Sequence, residues 1–176
     1  MRFRSNRTGL ASYGESKGDE LVLTIIGCGN SNRSDDGVGV YVAQHLKEHL
    51  HANENESVRV FDAGTGGMDV MFHAKGSTRL IIIDAGSTGS DPGSIYEVPG
   101  EELIAEKEVG YSLHDFRWDQ ALFAGRKIFR DDFPTDVTVF LIEAANLSLG
   151  LELSPVVKES AENLIERLKT EIDSYE

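Results

Sequence analysis

The sequence predicts an α/β protein, a three-layer α/β/α domain with a mostly parallel sheet. Three observations lead there. Short apolar runs alternate along the chain with longer stretches whose apolar residues recur every three or four positions. The first run, Leu21–Ile26, is apolar at every position, as expected of a strand covered on both faces of a parallel sheet. The first three runs each lead into an aspartate and a glycine-bearing turn: Asp35/Asp36, Asp62 and Asp84. In a parallel sheet such turns share one rim, where open α/β sheets bind their ligands.

Taken in order, Met1–Glu20 is polar and aperiodic and reads as a mobile tail, leaving 21–176 as one domain. After strand Leu21–Ile26 comes the turn Gly27–Gly37, then a helix over about Gly37–Leu50 with Val38, Val42, Leu46 and Leu50 on its buried face. Ala52–Ser57 is a loop, Val58–Phe61 a strand ending at Asp62, and Met68–Lys75 a short helix. Arg79–Ile83 is a third strand ending at Asp84. Ser94–Val98 alternates like an edge strand, and Glu101–Gly110 is acidic and irregular. His114 falls in a turn before a helix that runs to about Ile128, with Trp118, Leu122 and Phe123 on one side. Asp136–Ile142 is the last strand. Ser154-Pro155 opens the last helix, a capping hydroxyl followed by proline at the first helical position. Val157, Ala161, Leu164, Ile165, Leu168 and Ile172 give that helix a continuous apolar face.

The 176 residues suffice for one good core. A formal net charge of -13 disfavours binding along a nucleic-acid backbone or an anionic membrane. Cys28 is the lone cysteine, so no internal disulfide forms, which suits a reducing compartment. No apolar run is long enough to cross a bilayer, and the first residues carry arginines without an apolar signal region. The cytoplasm is the expected location.

Several motifs compete for the chemistry. Gly27-Cys28-Gly29 begins like a dinucleotide fingerprint, but Asn32 stands at its third glycine, and Asp35/Asp36 would repel a pyrophosphate at the helix start. A dinucleotide-binding oxidoreductase is therefore the weaker alternative. The carboxylates taken singly are turn formers or helix caps; taken together on one rim with His114, they suit a divalent transition metal. His45 and His49 have zinc-binding spacing but flank an apolar stripe without an HExxH glutamate, and read as boundary residues. Cys28 has no local Cys–His signature. There is no serine-hydrolase elbow, Walker loop or zincin motif.

Four segments carry a resemblance: GCGNSNRSDDGVG at 27–39, DAGTGGMDV at 62–70, LIIIDAGSTGSDPGSI at 80–95 and YSLHDF at 111–116. In order and spacing the chain resembles the nickel–iron hydrogenase maturation endopeptidases from about Leu21 to the last helix. Its 116–142 segment and last helix resemble relatives serving uptake-type hydrogenases. The resemblance implies an α/β/α fold with a twisted five-stranded sheet. It also implies removal of a C-terminal peptide from the hydrogenase large-subunit precursor after nickel delivery. The residues aligned with the proposed nickel-binding set, and expected to be catalytic, are Asp36, Asp84 and His114, with Asp62 ranked below them as a further candidate for lining the cleft or helping catalysis. Nickel is expected to be carried by the substrate. The first of these acids is glutamate in many members and aspartate here. The same set would serve a non-catalytic protein that checks the precursor for nickel, and only a cleavage assay separates that alternative.

Overall fold

The computed structural model describes residues 21–53, 55–103 and 117–175. The expected tail, Met1–Glu20, and the expected turn around His114 lie outside the described residues. Five strands form one sheet: β1 (Leu23–Cys28), β2 (Val58–Gly64), β3 (Arg79–Gly86), β4 (Ile95–Pro99) and β5 (Asp136–Glu143). Their order is β2-β1-β3-β5-β4. All neighbours are parallel except β4, which pairs antiparallel with β5 at the edge. All six β1 residues are buried, as its unbroken apolar character requires.

The helices are α1 (Val38–Asn53), α2 (Gly67–Ala74), the short α3 (Gly100–Leu103), α4 (Trp118–Phe129) and α5 (Pro155–Asp173). Strand side chains alternate between the two faces of the sheet. Leu23, Ile25, Ile81, Ile83, Phe140 and Ile142 point to one face, against Val42 and Leu46 of α1 and Leu164 and Leu168 of α5. Ile26, Leu80, Ile82, Val137 and Val139 point to the other, against Val70 and Met71 of α2 and Trp118 and Leu122 of α4. Burying each such aliphatic side chain stabilises the fold by about 1.5–3 kcal/mol. The six apolar positions expected to face inward on α5 are all buried.

Helix α1 comes unusually close to the sheet. A Cβ at Gly27 would run into the Gly39 carbonyl, and a Cβ at Gly39 into the carbonyls of Ile83 and Cys28. Two glycines thus let helix and strand backbones touch.

The structure corrects several boundaries. Strand β1 begins two residues later than its apolar run, because Leu21 is exposed while Cys28 pairs with Gly64. Strands β2 and β3 continue through Gly64 and Gly86, so Asp62 and Asp84 lie within paired strands rather than in the turns after them. Helix α1 reaches Asn53, into the expected loop, and a turn of 3-10 helix, Ser34–Gly37, precedes it. Helix α2 starts at Gly67. A turn of helix, α3, opens the expected irregular stretch. Phe123 is only half-buried, with the Lys127 ammonium over its ring. Ser154 precedes α5 but does not cap it, since its hydroxyl donates to Asp35 instead.

Candidate active site

The site lies between the carboxyl ends of β1 and β3. There the chain order reverses, with β2 on one side of β1 and β3 on the other. A cavity of about 150 Å³ opens at this point. Asp36, Asp84 and Arg117 line it, with the backbone of Gly64–Gly67 as one wall and Trp118 as another.

The turn after β1 delivers Asp36. Gly29 takes φ +124°, and a Cβ there would strike the Asp36 carbonyl, so only glycine fits. The Gly29 N–H donates to the Gly64 carbonyl at 2.8 Å, tying the turn to the glycine wall. Asp36 accepts a long bond, 3.3 Å, from the Asn30 N–H. Its neighbour Asp35 is fully buried and accepts from the N–H groups of Ala145, Asn146 and Ser154 and from the Ser154 hydroxyl. Neither acid caps a helix with its side chain. Asp35 anchors the β5–α5 connection to the turn, and that anchorage fixes where Asp36 stands.

Strand β3 delivers Asp84, which is buried. Its Oδ1 accepts from the Ala85 N–H at 2.8 Å; its Oδ2 accepts from the Trp118 indole N–H at 2.7 Å and an Arg117 guanidinium N–H at 3.2 Å. Burial raises its pKa above the ordinary carboxylate value; the Trp118, Ala85 and Arg117 contacts oppose that rise, and the nearby Asp36 adds to it. Asp84 thus holds negative charge at a cost, which an incoming cation relieves. Hard oxygen donors of this kind suit a divalent metal. Among the described residues no cluster of three or more His, Cys, Asp and Glu side chains forms a complete metal set. His114, expected as the third member, lies outside the described residues.

Asp62 is placed elsewhere. It is level with Gly27, and therefore with Ile83, one residue short of Asp84. Strand alternation sends it to the opposite face of the sheet. There its Oδ2 accepts from Gln44 of α1 at 3.2 Å, its Oδ1 accepts from the Gly64 N–H at 3.0 Å, and it is exposed.

Cys28 lines the cavity, but burial and the nearby Asp84 push its pKa far up, so the sulfur remains a thiol and a poor nucleophile. His45 bonds the Tyr41 carbonyl through Nδ1 at 2.8 Å, and His49 bonds Asp173 of α5 through Nε2 at 2.7 Å. Both are boundary residues, as expected. Sequence reasoning missed Arg117 as a partner of Asp84 and treated Trp118 only as an apolar residue. The signal was the pair Arg117-Trp118 directly after the 111–116 motif. It also passed over Glu143, whose carboxylate binds the Thr88 and Gly89 N–H groups and the Thr88 hydroxyl and holds the turn after β3.

A family model described as HycI, hydrogenase maturation protease, matches residues 40–171. The chain belongs to the hydrogenase maturation protease family. Its activity is that of a hydrogenase maturation endopeptidase. Among relatives of this protease, the hydrogenase 2 maturation protease of Escherichia coli is 26% identical over 147 residues, covering 83% of this chain and 87% of that one. The hydrogenase expression/formation protein HupD of Thiocapsa roseopersicina is 26% identical over 148 residues, 82% of this chain but only 64% of its own length. The fold is that of the hydrogenase maturating endopeptidase HybD from E. coli. That structure superposes with a TM-score of 0.68 at 23% identity and covers 84% of this chain and 90% of its own. The relatives carry names from several hydrogenase systems, so they give this maturation protease its family and not an uptake subtype. Among the described residues no helix is long and apolar enough to cross a membrane.

Proposed function

We propose that this protease removes the C-terminal extension of a nickel–iron hydrogenase large-subunit precursor, and that it reads the nickel already bound to that precursor. Asp36, Asp84 and His114 are the residues assigned to the metal. The observation that carries this reading is the pairing of Asp36 and Asp84 on one cavity facing a wall of glycine backbone. The carboxylates offer oxygen donors to a metal presented by the substrate. The glycine wall lets an extended substrate backbone lie close beside them. A divalent metal held by Asp36 and Asp84 would supply Lewis-acid chemistry towards a carbonyl or a water, and its recognition by the two carboxylates would make cleavage conditional on metal insertion. A precursor without nickel lacks the group that this pair recognises. The lone cysteine is consistent with action in the cytoplasm.

The deciding experiment is mass spectrometry of a cognate large-subunit precursor incubated with the protease, with and without nickel loading. Loss of a C-terminal peptide from the loaded form alone is the expected result. Cleavage regardless of loading would remove the nickel-reading role. No cleavage of a correctly loaded precursor would overturn the substrate. His114→Ala is expected to abolish processing, and an active His114→Ala protein would exclude that residue from the set.

A further inference from the structure

We infer that Arg117 acts as a displaceable counter-ion on Asp84, which weakens the site for free divalent cations and reserves it for a metal presented by the substrate. This rests on the reading of Asp36 and Asp84 as metal-reading residues. Two groups occupy Asp84 Oδ2, and they differ in how firmly they are held. The Trp118 indole N–H lies at 2.7 Å and its ring is buried in the core against α2. The Arg117 guanidinium lies at 3.2 Å on a side chain that is 68% exposed, against 6% for Asp84. Arg117 is the sole cation lining the cavity among the described residues, facing two carboxylates.

The consequences follow from charge and geometry. A divalent ion arriving at Asp84 meets a site already half neutralised, and must displace Arg117 from the oxygen it needs. Free metal has only the site's own donors to offset that displacement. A metal fixed in a precursor arrives with the rest of that protein's contact surface. Trp118 stays in place in both cases and keeps the carboxylate oriented. Arg117 is therefore a residue that sets specificity through Asp84. Its exposed position limits the effect, as for other ion pairs with one solvated partner.

The test uses the full chain and nickel(II) as the probe, followed by calorimetry and by quenching of Trp118, the single tryptophan of the sequence. Arg117→Gln is expected to bind nickel about two- to fivefold more tightly than the parent at low salt. The gain should shrink as salt screens the exchange. Arg117→Lys should return affinity towards the parent value, and loss of structure would not raise affinity. Asp36→Asn and Asp84→Asn should each weaken binding, and they test the underlying reading separately. If these two variants weaken binding but Arg117→Gln is no tighter than the parent, the counter-ion role is overturned and the metal reading stands. If neither parent nor any variant binds free nickel, the counter-ion role is overturned, while the reading of nickel presented by the precursor is decided separately by the cleavage assay with loaded and unloaded precursor.

Discussion

Asp35 and Asp36 are adjacent acids with different duties, and converting each to its amide separates them. The four hydrogen bonds to Asp35 divide unequally. Oδ2 accepts from the Ala145 N–H at 2.9 Å, the Asn146 N–H at 2.8 Å and the Ser154 hydroxyl at 2.8 Å, while Oδ1 accepts from the Ser154 N–H at 2.6 Å. In Asp35→Asn, one oxygen becomes an NH2 that can only donate. The cheaper rotamer keeps the oxygen where three donors converge and turns the NH2 towards the Ser154 N–H. That loses one charge-assisted bond, leaves a buried donor facing another donor, and weakens three further bonds. About 3 kcal/mol of lost stability is expected, or a fall in Tm of about 6–12 °C for a chain of this length. Asp36 accepts one bond at 3.3 Å and faces the cavity. Asp36→Asn should cost less than about 1 kcal/mol and abolish processing. Urea unfolding followed by circular dichroism measures the first quantity, with m unchanged as the check on two-state behaviour. Equal destabilisation by the two variants would refute the division of labour. So would an Asp35→Asn protein within about 0.5 kcal/mol of the parent.

The remaining expectations concern charge and exposure. Glu143 has its pKa lowered below its ordinary 4.5, chiefly by the Thr88 N–H and then by Gly89 and the Thr88 hydroxyl, against the opposing effect of burial. Its contribution is present above the unfolded value and lost as pH falls through the lower folded value. Parent and Glu143→Gln stabilities should therefore differ most near neutral pH and converge in acid; a gap that widens on acidification would contradict this. The buried Cys28 thiol should resist iodoacetamide at pH 8 in the native state and react on unfolding, as peptide mapping would show. Asp62→Asn should leave the nickel affinity of the free chain within about twofold, because an exposed charge on the other face of the sheet is largely screened. A loss comparable to that of Asp84→Asn would bring Asp62 to the metal site.

Much of the fold was legible because strands and helices here obey their own periods. The α5 face was written out every three or four residues, and the apolar β1 declared itself central. The edge position of β4 was legible from its length and alternation, and its exposed residues agree. Side-chain roles were less legible. Asp35 looked like a cap because the sequence does not show that the β5–α5 connection returns 110 residues later to donate to it. Ser154 looked like a cap for the same reason, since its hydroxyl is claimed by a residue far away in the chain. Trp118 looked like core. It is core, but its one polar atom lies at the carboxylate of Asp84.

The sequence places the three acids on one rim but does not say which face of the sheet each one takes. Three acids at the ends of three parallel strands do converge on one edge of the sheet, yet an edge has two faces. Ile83 and Asp62 are both level with Gly27, so Asp84 is one step further along than Asp62. One residue in a strand is half a period, enough to send Asp62 to Gln44 on α1 and Asp84 to Trp118 on α4. Asp36 escapes this constraint because it is carried by a turn, and the Asp35 anchorage brings it back to the face that Asp84 occupies. The two cavity carboxylates therefore owe their meeting to different causes: strand register for one, and a buried neighbour's hydrogen bonds for the other.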